Sequence, residues 1–326
     1  MFGLKKKQIQ FVAYNIIVML AILLVLEFSV RLLHPEIQSQ YTDAQLFADS
    51  MYYGSWGLAP ESEGFSSGAL VEVNEYGTRQ YSEQIDTSKA GWLLLGDSVT
   101  LGIGVEADST FAGIVQSKMD SINILNPSQI GYRVKDYFNV LRSYTSGQHT
   151  KLNVKRVTLF WCLNDLYIDV DAIEEPGGVF RYIFSDLLSF IRTHSHSYLF
   201  LKNTLFDRPQ TYYQFDRQFY TKENPNFSTS VEYLTRISKI CENYQLPFDV
   251  VLLPYEYQIR THATDRSAPQ RLLEESLLEQ NIDVYDTLRQ VPDGGFPDKL
   301  FLYGDGIHLS KDGHKFIAEF ILANLL

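Results

Sequence analysis

The chain predicts an α/β fold, with a central parallel sheet covered by helices on both faces and one apolar helix ahead of it. Three observations lead there. From Ala90 onward short apolar runs alternate with amphipathic stretches, the rhythm of repeated βαβ units. The amino end holds FVAYNIIVMLAILLVL, a nearly unbroken apolar segment from Phe11 to Leu26. Finally, 45% of the residues are apolar, with 21 Tyr and 21 Phe, enough buried surface to offset chain entropy, so most of the chain is expected to fold.

In chain order, residues 1–8 form a basic segment that includes Lys5, Lys6 and Lys7, and residues 9–33 form the apolar helix. That stretch reaches the ~20 residues needed to cross a ~30 Å hydrocarbon layer, and the lysines hold its start in the cytoplasm. Bulky Leu32, Leu33 and His34 follow where a cleavable signal would carry a small-x-small site, so a retained single-pass anchor is expected. Everything beyond about His34 then faces the periplasm or the exterior. Residues 34–89, rich in Tyr, Gly, Ser and acidic residues with no sustained period, read as an irregular membrane-proximal segment.

The catalytic domain is expected over residues 90–326. Its strands are GWLLLG near Trp92, SINILN, RVTLFWCL from Arg156 to Leu163, PFDVVLLP and NIDVYD. Its helices lie near Thr110 to Met119, Val231 to Tyr244, Pro269 to Gln280 and, after the N-cap Ser310, Lys311 to Leu325. Between about residues 166 and 227 the rhythm breaks into aromatic-rich sequence, an insertion suited to a lid.

A net charge of -11 argues against nucleic acid or an anionic lipid surface as a partner of the folded body, since both need clustered cations. The two cysteines, Cys162 and Cys241, provide neither a disulfide framework nor a zinc spacing and read as reduced, packed residues. His194 and His196 have no carboxylate or thiol at ligand spacing, so no metal site is expected. Gly102-x-Gly104-x-x-Ala107 imitates a dinucleotide fingerprint but starts several residues beyond the strand end, which rules it out.

Chemistry gathers where strands end. WLLL runs into Gly96-Asp97-Ser98, placing Ser98 just past the carboxyl end of a parallel strand, where open α/β sheets bind ligands. A serine nucleophile needs a base. GDGIHLSKDGH holds Asp305 and His308 three residues apart ahead of the last helix, a spacing that lets the carboxylate orient the imidazole toward a hydroxyl. Gly131, after SINIL, offers a backbone N–H, and Asn164, ending FWCLN, a side-chain amide. With the Ser98 N–H they supply donors for an oxyanion. Tyr255, Glu256 and Gln258 follow VVLLP toward the same rim as candidate substrate contacts, whereas His314, in the last helix, reads as structural. The aromatics from Phe180 to Phe206 fit core packing better than a substrate platform.

These four ordered signals, Gly-Asp-Ser, a glycine after the second strand, Asn164-Asp165 and Asp-x-x-His, resemble the blocks of the SGNH (GDSL-type) hydrolase family over residues 90 to 326. The resemblance implies a flavodoxin-like three-layer α/β/α fold, with Ser98 as nucleophile, His308 as base then acid, and Asp305 as its orienting carboxylate. It implies an oxyanion hole of Ser98, Gly131 and Asn164, and no bound cofactor. One departure stands in the third block, where Cys162 occupies the family's usual glycine position and narrows the expected pocket. The order of anchor, VNEYGTR (Val73 to Arg79) and LLLGDSVTLGIGV is similar to membrane-bound SGNH proteins of bacterial cell-surface polysaccharide modification. The expected activity is thus an extracytoplasmic esterase or O-acyltransferase on O-acyl, foremost O-acetyl, esters of a cell-envelope or exported glycan. Two alternatives remain open: a lipase or thioesterase acting on acyl chains, and a non-catalytic glycan-binding subunit of an envelope complex.

Overall fold

A computed structural model describes residues 6–81, 84–147, 149–168, 185–261, 263–291 and 297–326. Lys5, the first part of the insertion and Phe180 fall outside the described residues. The chain divides into two units: residues 6–40 with 185–206, and residues 41–168 with 207–326.

The apolar stretch forms α1 (Lys6–Leu33). Residues 6–25 are all exposed, so this helix is not the core helix of a soluble domain. Next come two antiparallel ribbons, β1 (Phe47–Tyr52) with β2 (Ser55–Leu58) and β3 (Glu63–Ser66) with β4 (Ala69–Glu72). Each turns on two residues of positive φ, Tyr53-Gly54 at 49° and 98° and Ser67-Gly68 at 50° and 85°, the backbone of a tight hairpin. The expectation of irregular structure between residues 34 and 89 is therefore corrected. Leu46, Leu58, Val71 and Val73 of this region bury themselves with Leu101 and Ile103, and residues from 41 onward belong to the larger unit.

The α/β rhythm follows as expected. β5 (Ala90–Leu95) leads into α2 (Ser98–Leu101), then α3 (Phe111–Lys118), β6 (Ile122–Leu125), α4 (Val134–Ser146) and β7 (Val154–Trp161). The next two helices, α5 (Ser185–His194) and α6 (His196–Leu205), join α1 in the smaller unit. The chain then returns to the larger unit with α7 (Arg208–Arg217), α8 (Pro225–Asn243), β8 (Phe248–Leu252), α9 (Glu256–Arg260), α10 (Ala268–Leu278), β9 (Asp283–Asp286), α11 (Pro297–Leu300) and α12 (Lys311–Asn324). The expected insertion is thus shared between the two units.

The five strands pair in parallel in the order β6-β5-β7-β8-β9. Strands such as LLL at 93–95 and FW at 160–161 read as unbroken apolar runs because both faces are covered. One cover is α3 against α12; the other is the row α4, α8 and α10. In this flavodoxin-like α/β/α arrangement the chain leaves β5 to one side for β6 and returns to the other for β7. The topology therefore opens a crevice beyond the carboxyl ends of β5 and β7.

Candidate active site

Two strand ends meet at that crevice. Gly96 closes β5, where any Cβ would lie 2.0 Å from Thr100 Oγ1, so only glycine permits the sharp entry into α2. Asp97 caps α2, its Oδ1 accepting from the Val99 N–H at 2.9 Å, and Ser98 stands first in the helix with its own N–H unused by it. Behind the turn, buried Arg79 donates to the carbonyls of Leu101, Gly102 and Val105 at 2.6, 2.8 and 2.6 Å, and to Leu70 at 3.3 Å. The VNEYGTR segment thereby braces the turn that carries Ser98 through the end of α2.

The second half of the site comes from 210 positions away, where His308 Nε2 lies 2.8 Å from Ser98 Oγ. His308 Nδ1 is 2.8 Å from Asp305 Oδ1. That same oxygen accepts the backbone N–H groups of Ile307 at 3.0 Å and His308 at 2.8 Å. Burial works to raise the Asp305 pKa. The His308 charge, its ring hydrogen bond and the two N–H donors outweigh it and hold the carboxyl down at about 2. An ionised Asp305 keeps the proton on Nδ1 and leaves Nε2 free to accept from the serine hydroxyl. Burial also works to lower the His308 pKa, but the charge and hydrogen bond of Asp305, with Asp97 adding, raise it above the ordinary imidazole value.

Asn164 follows β7 on the turn Leu163–Asp165, its Nδ2 3.5 Å from Asp97 Oδ2 and its Oδ1 3.1 Å from the Tyr255 hydroxyl. The hydroxyl is also 2.7 Å from Asp216 Oδ2. With Oδ1 turned to Tyr255, the amide nitrogen lies beside Asp97, the residue before Ser98. Gly131, exposed and at φ +77°, follows β6 on the same edge of the sheet, and its N–H has no acceptor among the described residues.

The remaining expectations divide. Tyr255 is fully buried and reaches the site only through Asn164. Glu256 is 2.8 Å from Arg260 in an ion pair, and its N–H donates to Gly306 of the His308 loop at 2.9 Å. Gln258 is buried. Its Oε1 accepts the Tyr255 N–H at 2.9 Å, and its Nε2 donates to the Arg266 carbonyl and to Gln270 Oε1 at 2.7 and 2.8 Å. Gln258 therefore holds the turn after β8 in place and does not face the crevice. The Cys162 thiol is buried, and that burial, with the carboxyl of Asp97 beside it, pushes its pKa well up. His314 behaves as a core residue, Nδ1 accepting the Phe111 N–H at 3.2 Å and its pKa pushed down to about 3 by burial.

Two residues of the insertion enter the site unannounced by any motif. Asp216 supports Tyr255, and burial pushes its pKa up to about 6. Arg208, at the start of α7, acts electrostatically on His308. Asp207 caps α7 with Pro209 in its first turn, and Gly306 of the His308 loop approaches Pro209 so closely that a Cβ would lie 2.7 Å from it.

No protein-family model and no curated protein matches the chain. Among solved structures, it is similar to the lipase/acylhydrolase from Enterococcus faecalis at 15% identity, covering 72% of this chain and 95% of that one with a TM-score of 0.43. It is also similar to the acetyl xylan esterase AlAXEase, at 14% identity, 72% and 100% coverage and a TM-score of 0.43. A further similarity is to the putative lipolytic protein of the G-D-S-L family from Desulfitobacterium hafniense, at 14% identity, 72% and 99% coverage and a TM-score of 0.43.

Proposed function

We propose that the protein is a serine acyl hydrolase or O-acyltransferase in which Ser98, His308 and Asp305 form the catalytic triad. One observation carries the reading: the unbroken relay from Ser98 Oγ through the imidazole to Asp305, with both links at 2.8 Å. As the Ser98 oxygen attacks an ester carbonyl, its proton passes to His308 Nε2, and Asp305 stabilises the imidazolium. The developing oxyanion takes hydrogen bonds from the N–H groups of Ser98 and Gly131 and from Asn164 Nδ2. His308 then protonates the leaving alcohol. An acyl-serine remains, and water or an acceptor hydroxyl attacks it with His308 again as base.

A short acyl group, foremost acetyl on a carbohydrate, is the favoured substrate. In support, the order of an apolar helix, VNEYGTR and LLLGDSVTLGIGV is similar to membrane-bound SGNH proteins of cell-surface polysaccharide modification. We infer further that α1 is a membrane anchor with its lysines cytoplasmic and the larger unit outside the cytoplasm. The exposure of the apolar side chains along residues 6–25 supports a lipid environment.

The test is covalent labelling of the full-length protein in detergent by a fluorophosphonate probe. Labelling lost in Ser98→Ala is expected. A folded wild type that takes no label overturns the assignment. Hydrolysis of p-nitrophenyl acetate faster than that of the octanoate and longer esters is expected, and the reverse order removes the acetyl preference.

A further inference from the structure

Of the 3 tryptophans in the chain, Trp92 and Trp161 are buried in the sheet, at 3% and 0% exposure, whereas Trp56 is 39% exposed. Trp56 belongs to β2, and apolar burial carries its ribbon to the Gly131 side of the crevice. Leu58 packs with Leu46, Val71 and Val73 and with Leu101 and Ile103 at the end of α2. Ile130, the residue before Gly131, packs against the same cluster. A Cβ built on Gly131 would lie 3.8 Å from Trp56 Cζ2, an ordinary contact distance. Beyond the glycine's chain neighbours, nothing else among the described residues comes within 4 Å of that point. The benzo edge of the indole thus stands beside the bare, exposed backbone whose N–H the ester carbonyl would meet.

The indole is held in place from several sides. The Tyr132 hydroxyl donates to the Trp56 carbonyl, and the Tyr132 ring lies 5.8 Å from the indole, tilted by 56°. Ser55 donates to Asp136 Oδ1 of α4 at 2.5 Å and accepts from Asn139 Nδ2 at 3.1 Å. On the other side of Trp56, a Cβ at Gly57 would lie 2.7 Å from Tyr52 Cε2, so β2 is pressed closely onto β1. A ring tied in this way loses little freedom when a ligand lands on it. Its face accepts flat C–H surface, which either a pyranose or an alkyl chain could offer. The neighbouring surface decides between them. An alkyl chain needs a groove with aliphatic walls. Between residues 41 and 168, the exposed large apolar side chains among the described residues are all aromatic: Tyr41, Tyr53, Trp56 and Phe65. A pyranose needs only one apolar face and leaves its rim hydroxyls to water and polar groups.

We propose that Trp56 is the sugar platform of the ester site: an acylated pyranose stacks on the indole as its ester carbonyl meets the Gly131 N–H. This rests on the reading of Ser98 as nucleophile and of Gly131 as an oxyanion donor. An O-acetyl carbonyl stands close enough to the ring it esterifies for both contacts to form at once.

The test uses the full-length protein in detergent. Penta-O-acetylglucose and an acetylated xylo-oligosaccharide serve as sugar esters, and ethyl acetate and ethyl octanoate as esters without a ring. Trp56→Ala is expected to lower the ratio of kcat/KM on the sugar acetates to that on ethyl acetate by about tenfold, through KM rather than kcat. Trp56→Tyr keeps a ring face and is expected to hold the ratio within about threefold of the wild type. Ser98→Ala binds without turnover. In that variant the sugar acetates are expected to reduce acrylamide quenching of tryptophan emission about twofold, as a covered ring would. Trp92 and Trp161 are buried, so the change reports Trp56, and it is expected to vanish when Trp56→Tyr is added. A ratio that Trp56→Ala leaves in place, or quenching that the sugars leave unaltered, overturns the platform; fluorophosphonate labelling of Ser98 in the same preparation shows that the triad stands without it. A Trp56→Ala defect confined to ethyl octanoate overturns it in favour of an acyl chain. A folded wild type that takes no label removes the ester site, and the platform with it.

Discussion

Replacing Asp305 with asparagine keeps an oxygen for the backbone N–H groups of Ile307 and His308 but deletes the charge beneath the imidazole. The cost falls on the step in which His308 becomes a cation. With the charge centres about 4 Å apart and an effective dielectric of about 20, the lost attraction is about 4 kcal/mol. At 1.36 kcal/mol per decade this is about a thousandfold in the rate of Ser98 acylation. The pH profile carries a second signature. A triad needs unprotonated Nε2, so the acylation rate rises with pH through the His308 pKa, which Asp305 holds above the ordinary value. Without that charge the burial of the ring dominates, and the inflection moves to lower pH. The assay is stopped-flow release of p-nitrophenol in the acylation burst, from pH 5 to 9. A loss of less than about tenfold, or an inflection that stays in place, refutes the role given to Asp305.

Asn164→Ala should lower turnover by about a hundredfold or more with an unchanged melting temperature, as for a lost oxyanion donor; an unaffected rate removes Asn164 from the site. Tyr255→Phe removes the hydroxyl that orients the Asn164 amide and should cost about tenfold in kcat with little change in KM, whereas a KM effect alone would make Tyr255 a substrate contact. Asp216, with its pKa raised to about 6 by burial against about 4 in an unfolded chain, contributes stability below pH 4 that is lost as pH rises through 6, about 3 kcal/mol in all. Asp216→Asn should therefore raise the melting temperature at pH 8 and leave it unmoved at pH 4; equal melting curves at pH 8 contradict the carboxyl's burial. Asp305 has the opposite sign: its carboxyl, held at about 2, contributes stability above pH 4 that disappears as pH falls from 4 to 2, so acid unfolding in that window should be shallower in Asp305→Asn.

What the sequence announced and what it concealed follow from distance along the chain. Strands buried on both faces are plain apolar runs, and Asp305 and His308 are three residues apart, so the sheet, the last helix and two members of the proposed triad are legible locally. The ribbons between residues 47 and 72 were hidden because four of their strands' arms are only four to six residues long, and because Tyr53-Gly54 and Ser67-Gly68 are weaker hairpin signals than Asn-Gly. Asp216 and Arg208 reach the site only through tertiary packing of an aromatic-rich segment with no period of its own. Gln258 misled because following a strand end fixes the edge a residue sits on, but not whether its side chain turns outward or, as here, back toward Gln270.

The buried guanidinium of Arg79 has a practical corollary. It lies eleven residues before β5, outside any catalytic core drawn by motif, yet it donates to four main-chain oxygens, those of Leu70, Leu101, Gly102 and Val105. A soluble fragment trimmed to start at residue 90 would keep every reactive side chain and lose the cross-brace that aims the first of them. One trimmed to start near residue 41 would keep both.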